Sequence, residues 1–125
     1  MAYLLVGLGG GIGAISRFWL GRQIAQQSPS HFPLGTLLIN VSGSLIIGLI
    51  LGWMLEQSDT GGSWRWLIVV GILGGYTTFS TFAFESIALL DKGEIGKAVG
   101  YIVISNAASL AVCGLGLWIA RTLAN

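Results

Sequence analysis

The segment GGYTTFSTFAFE, Gly74 to Glu85, sets five hydroxyl-bearing side chains and three phenylalanines in a stretch otherwise apolar enough to cross a membrane. Hydroxyls donate and accept hydrogen bonds, and lipid offers them no partner. The adjacent Gly74 and Gly75 each weaken a helix by about 1 kcal/mol relative to alanine. A helix break there frees carbonyl and N–H groups at membrane depth, where only protein, water or an ion satisfies them. Freed carbonyls suit a small hard cation. Phe79 and Phe82 are three apart and share a helix face. A phenyl ring is negative on its face and positive at its edge, so ring edges turned toward a cavity attract an anion. The plain alternative for both rings is core packing. The chemistry on offer is ion coordination.

Other polar residues fall into stripes. Thr36, Asn40 and Ser44 recur every four residues, and Gly48 and Gly52 continue the series. Tyr101, Ser105 and Ser109 repeat the spacing near the other end of the chain. Residues four apart share a helix face, so each stripe turns polar atoms in one direction, away from lipid. Interhelical hydrogen bonds, about 1 kcal/mol or less apiece, are the competing explanation. Two charges fall toward the ends of apolar runs, Arg17 near the end of the first span and Glu85 at the end of the third. Arg17 either snorkels to the interface or draws anions into a vestibule; Glu85 either caps a polar network or reaches water. Nothing resembles a catalytic pair. His31 sits in a loop beside two prolines, no His, Cys or carboxylate cluster has metal-ligand spacing, and no enzyme is expected.

These residues need helices to hold them in the membrane. A spanning helix takes about 20 mostly apolar residues. Four runs qualify, at roughly 2–21, 34–55, 66–89 and 97–121. The connectors RQIAQQSPSHFP, EQSDTGGSWR and DKGEIGK are short and polar, so the whole chain, 1–125, is one transmembrane domain. The expected fold class is all-α integral membrane, with the third of four helices broken near its middle. The apolar start lacks a basic leading region and reads as a span, not a removable signal.

Composition agrees. The chain is 54% hydrophobic and 9% charged, against roughly 25% charged in a soluble domain. Its formal net charge of +1 argues against a nucleic-acid binder. Cys113 has no partner for an internal disulfide and reads as a small buried side chain. Four spans put both termini and the second connector on one side, where Trp53, Trp64, Trp66 and Trp118 also fall, with Trp19 near the other. Trp favours the interface. Arg65 and Arg121 lie on the first side; Arg22, Lys92 and Lys97, with Arg17 a turn deeper, lie on the other. So small a bias is compatible with insertion both ways up.

Glycine occurs 20 times. The pairs Gly7–Gly11, Gly9–Gly13, Gly48–Gly52, Gly71–Gly75 and Gly96–Gly100 are each four apart, the spacing of close helix packing. Gly9, Gly11 and Ala14 also fit a loose dinucleotide-loop pattern, but the strand, soluble helix and acidic residue that pattern needs are missing.

Three motifs taken together, GGYTTFSTFAFE in the third span, GTLLINVSGS in the second and GGGIGAISR in the first, closely resemble the small bacterial fluoride channels, the Fluc or CrcB family. Length, span count and motif order fit along the whole chain. The resemblance implies an antiparallel, dual-topology homodimer in the bacterial inner membrane, surrounded by lipid, with two fluoride pores. It implies a central structural sodium held by the carbonyls of Gly74 and Thr77. It assigns the pore to Asn40, Phe79, Phe82, Thr81, Tyr101, Ser105 and Ser109, and the vestibule to Arg17. The implied function is passive fluoride export that lowers cytoplasmic toxicity. Two rivals stand beside it. A small proton-coupled multidrug exporter would need an ionisable group deep in a span, and the first span has no Asp or Glu. A structural membrane subunit would carry no ion.

Overall fold

A computed structural model describes residues 1–28, 30–57 and 62–124. It contains helices α1 (Ala2–Gln27) and α2 (Leu34–Glu56), a short turn α3 (Ser63–Arg65), a π-helical segment (Trp66–Leu73), a second turn α4 (Gly74–Tyr76), α5 (Phe79–Asp91) and α6 (Ile95–Ala124). Among the described residues there is no strand. The pieces from Ser63 to Asp91 make one span, so four helical stretches are long and apolar enough to cross a membrane. This is an all-helical, multi-pass membrane protein.

The boundaries have local causes. α1 runs past Gly21 to Gln27 because no residue there breaks it; Ser28, which precedes Pro29, is extended at φ −113°, ψ 101°, as a residue before proline prefers. Pro33 stands at the N-cap of α2. α5 ends at Asp91 and is closed off by Gly93, two residues on, whose φ of +76° is left-handed. The Gly93 amide donates to Leu90 O at 2.9 Å and the Glu94 amide to Leu89 O at 3.0 Å, the paired bonds of a Schellman cap.

The helices pair through glycine. α1 lies on the first half of the third span, and α2 on α6. A Cβ at Gly75 would sit 2.5 Å from Gly10 O, and one at Gly116 would sit 2.6 Å from Leu45 O. Neighbours advance in step along both members of each pair, Gly9 by Gly71 and Gly13 by Gly75, Gly48 by Cys113 and Gly52 by Leu117. Both pairs are therefore parallel. Three of the five glycine pairs pack inside the chain, while Gly7–Gly11 and Gly96–Gly100 face open space. The Glu56–Arg121 ion pair, at 3.2 Å, ties the ends of α2 and α6.

Few apolar side chains are buried. Leu37, Leu89, Ala98 and Tyr101 form the compact cluster, with Phe32, Leu34, Val41 and Phe82 against it. Leu4, Leu8, Ile15, Phe84, Ile87 and Leu110 are well exposed. Helices so apolar on their outer faces have lipid as their solvent.

The third span differs from the expected weak point. Gly74 is helical at φ −63°, ψ −37°, and Gly74–Tyr76 forms a helical turn. Extended backbone falls instead at Thr77 (φ −78°, ψ 156°) and Thr78 (φ −150°, ψ 115°). Gly75 lies in the same turn and packs against the Gly10 backbone of α1. The interruption lies where another helix supplies substitute hydrogen bonds.

Candidate ion pathway

Asn40 supplies those substitutes. A continuous helix would give the Thr78 amide to Gly74 O. That amide donates to Asn40 Oδ1 at 2.8 Å, and Asn40 Nδ2 donates to Thr78 O at 3.0 Å. The Thr81 amide, which would otherwise reach Thr77 O, donates to Thr78 Oγ1 at 3.3 Å. Thr78 is thus the N-cap of α5, a role threonine fills well. Both diversions deprive the Gly74 and Thr77 carbonyls of their helical donors. Upstream, the Thr77 amide and hydroxyl both close on Leu73 O, at 3.1 and 3.0 Å. Arg17 Nε donates to Gly75 O at 3.1 Å, satisfying one more carbonyl. Gly43 on α2 leaves room for the Thr77 methyl and the Tyr76 ring, and Tyr76 Oη lies 2.9 Å from Ser42 Oγ.

Two cavities have Thr78 in their walls. The first, about 410 Å³, is lined by Asn40, Ser44, Gly74, Thr77, Thr78, Phe79, Phe82, Ser105, Asn106 and Ser109, with apolar side chains filling the rest of its wall. The second, about 620 Å³, is lined by Arg17, Arg22, His31, Thr36, Thr78, Thr81 and Glu85 among others. The first is a polar-seamed apolar slot. The second carries cationic side chains at its wall.

Hydroxyl and aromatic chemistry converge between them. Glu85 accepts from Thr36 Oγ1 at 2.9 Å through Oε1 and from Tyr101 Oη at 2.7 Å through Oε2. Glu85 therefore anchors a polar network and also lines the second cavity. Tyr101 is fully buried. Its ring lies 5.3 Å from Phe82 and 5.6 Å, edge-on, from Phe32. Phe79 and Phe82 are 5.5 Å apart at 51°, within the range where rings interact edge to face. Ser105 is 7% exposed, and among the described residues its Oγ has no hydrogen-bond partner. A buried hydroxyl without a partner carries a desolvation cost of about 1–3 kcal/mol.

Of the residues singled out from sequence, Asn40, Phe79, Phe82, Ser105 and Ser109 share the first cavity with Gly74 and Thr77. Arg17 and Thr81 line the second. Tyr101 lines neither and sits in the core. Thr78 does structural work that its sequence spacing does not single out, while Glu85 caps a polar network, one of the two roles expected of it. The one signal for Thr78 is positional, a threonine just ahead of an apolar helix, where N-caps occur. Among the described residues no His, Cys, Asp and Glu cluster could hold a metal.

A family model described as CrcB-like protein, Camphor Resistance (CrcB), matches residues 4–117. The chain belongs to the CrcB family. A relative from Nitrobacter hamburgensis, named fluoride-specific ion channel FluC 2, is 46% identical over 98% of this CrcB chain and 99% of its own length. One from Francisella tularensis subsp. mediasiatica, named fluoride-specific ion channel FluC, is 47% identical over 93% of the chain and 92% of its own. One from Koribacter versatilis, with that same name, is 43% identical over 91% of each. The family that the three motifs point to is the family found. This CrcB protein falls among membrane channels and is not an enzyme.

Proposed function

We propose that the chain is a passive, fluoride-selective channel of the bacterial cytoplasmic membrane. One observation supports this reading above others: a single slot is lined by an amide, a buried hydroxyl that has no partner among the described residues, and two phenyl rings. Fluoride is small and holds its water tightly. A path for it must replace that shell with donors, while binding it weakly enough to let it go. Asn40 Nδ2 has two protons and gives one to Thr78 O, so the second remains for an anion. Ser105 and Ser109 continue the donors along α6, and Phe79 and Phe82 offer ring edges. Arg17 and Arg22 raise the local anion concentration in the second cavity.

The working unit in this reading is an antiparallel homodimer with two pores. Phe79 is 76% exposed on the chain, and a second copy would cover it. The third helices, interrupted at Thr77 and Thr78, would meet at the centre. The donor set there fits a structural sodium: Gly74 and Thr77 carry neutral carbonyl oxygens whose helical donors have gone elsewhere, and hard alkali cations favour such oxygens. When bound, that sodium would supply a fixed positive charge that attracts the anion through low dielectric. In acid surroundings HF enters and dissociates inside, so a passive anion exit lowers cytoplasmic fluoride. α1 holds no Asp or Glu, which disfavours a proton-coupled exporter.

Anion efflux from liposomes holding only the purified protein tests the reading. Fast fluoride loss with negligible chloride loss is the expected result. Equal loss of both would remove selectivity, and loss of neither from a folded dimer would overturn the channel.

A further inference from the structure

Among the described residues, Thr78 alone lines both cavities. Asn40 and the Phe79–Phe82 pair lie on one side of it, and Arg17, Thr81 and Glu85 on the other. We propose that Thr78 is the doorway between the two cavities, and that its hydroxyl donates a hydrogen bond to fluoride as the ion crosses. This rests on the channel reading above.

Thr78 is held at three atoms. Its carbonyl and amide are gripped by Asn40, and its Oγ1 accepts from the Thr81 amide. The oxygen therefore stays at the junction. Its proton is not fixed in the same way. In the structure Oγ1 donates to Thr81 Oγ1 at 3.0 Å, and Ser80 Oγ lies 3.4 Å away. A hydroxyl has one proton that turns about the C–O bond and lone pairs that accept separately. The N-cap uses a lone pair, so the proton can turn from Thr81 to a passing anion without loosening the cap.

This suits the chemistry of the ion. An anion stripped of water needs a donor at each step, because an unpaired charge in low dielectric is expensive. Exchanging one hydrogen bond for another at fixed heavy-atom positions has little net cost. Threonine adds a branched Cβ that restricts side-chain rotation, so the doorway has a constant width.

Single-channel fluoride currents in planar bilayers, from purified full-length protein, test this. Unit current is independent of how much protein folds, and dimer yield on size exclusion reports the loss of the cap. Thr78→Ser should keep the unit current within about twofold, and Thr78→Val, isosteric without a donor, should lower it at least about tenfold. Thr78→Cys, with a weak donor, should fall between them. A Thr78→Val current equal to wild type overturns the inference. If Thr78→Val yields no dimer, equal currents for the Ser and Cys variants overturn it. Wild type that passes no fluoride would sink the channel reading; a conducting wild type with an unaffected Val variant would sink the doorway alone.

Discussion

Asn40 on α2 grips Thr78 by both ends of its amide, accepting from the Thr78 N–H at 2.8 Å and donating to the Thr78 carbonyl at 3.0 Å. The side chain replaces a helical turn for one residue. Its role in the proposed ion path and its role in holding the interrupted span are therefore inseparable at the level of a simple deletion, and the choice of substitution matters.

Asn40→Asp keeps an oxygen for the Thr78 amide but sets a second oxygen against the Thr78 carbonyl. It should lose the donor for the anion as well. We expect at least about a tenfold fall in fluoride efflux, with destabilisation of about 1–3 kcal/mol. Efflux assays and thermal melts of one preparation check this; wild-type throughput would refute the role in the path.

Phe79→Ile and Phe82→Ile should both lower fluoride flux, because each removes a ring edge. Their stability costs should differ. Phe82 packs on buried Tyr101, so its replacement should cost more, about 0.5–1.5 kcal/mol for the aromatic contact. Phe79 is largely exposed on the chain, and its cost in chain stability should be small. Unchanged flux in both variants would sink their assignment.

Gly74→Ala and Gly75→Ala separate fold from assembly. A Cβ at Gly75 would press on Gly10 backbone, which cannot retreat as a side chain could, so overpacking of about 1–3 kcal/mol is expected. A Cβ at Gly74 would meet only Val69 O, at 3.9 Å. The Gly74 variant should therefore fold as a chain yet assemble poorly if the third helices meet at that point. Helicity by circular dichroism and dimer fraction by size exclusion measure the two effects. A Gly74→Ala protein that dimerises like wild type would count against a central crossing there.

Tyr101→Phe leaves one oxygen of Glu85 without its hydroxyl donor while keeping the ring contacts. The expected loss is about 0.5–1.5 kcal/mol, the net contribution of one hydrogen bond at a half-buried carboxyl group. Thr36→Val removes the other donor. Because both act on one carboxyl group, their effects should not add. A double-variant melt equal to the sum of the single variants would show that the three residues are not one network.

Much of this protein is legible without coordinates. Apolar runs of spanning length fix four membrane helices, because lipid leaves the backbone no partner but itself. Glycines four apart mark packing faces, and the motif around Gly74 to Glu85 marks the segment that departs from them. Which glycine pairs pack within the chain was not legible, since Gly7–Gly11 has the same spacing as Gly9–Gly13 but meets nothing.

The sequence by itself determined the class of molecule, its four long apolar helices and its family, since those follow from local composition and short motifs. Tertiary structure decided where the third span leaves the helix. Propensity points to Gly74 and Gly75, yet the chain opens at Thr77 and Thr78, because α2 brings Asn40, 38 positions away in sequence, to take the diverted bonds. Glu85 was settled in the same way: its hydroxyl donors arrive from α2 and α6. Partners so distant in sequence are set by packing, which no local pattern encodes.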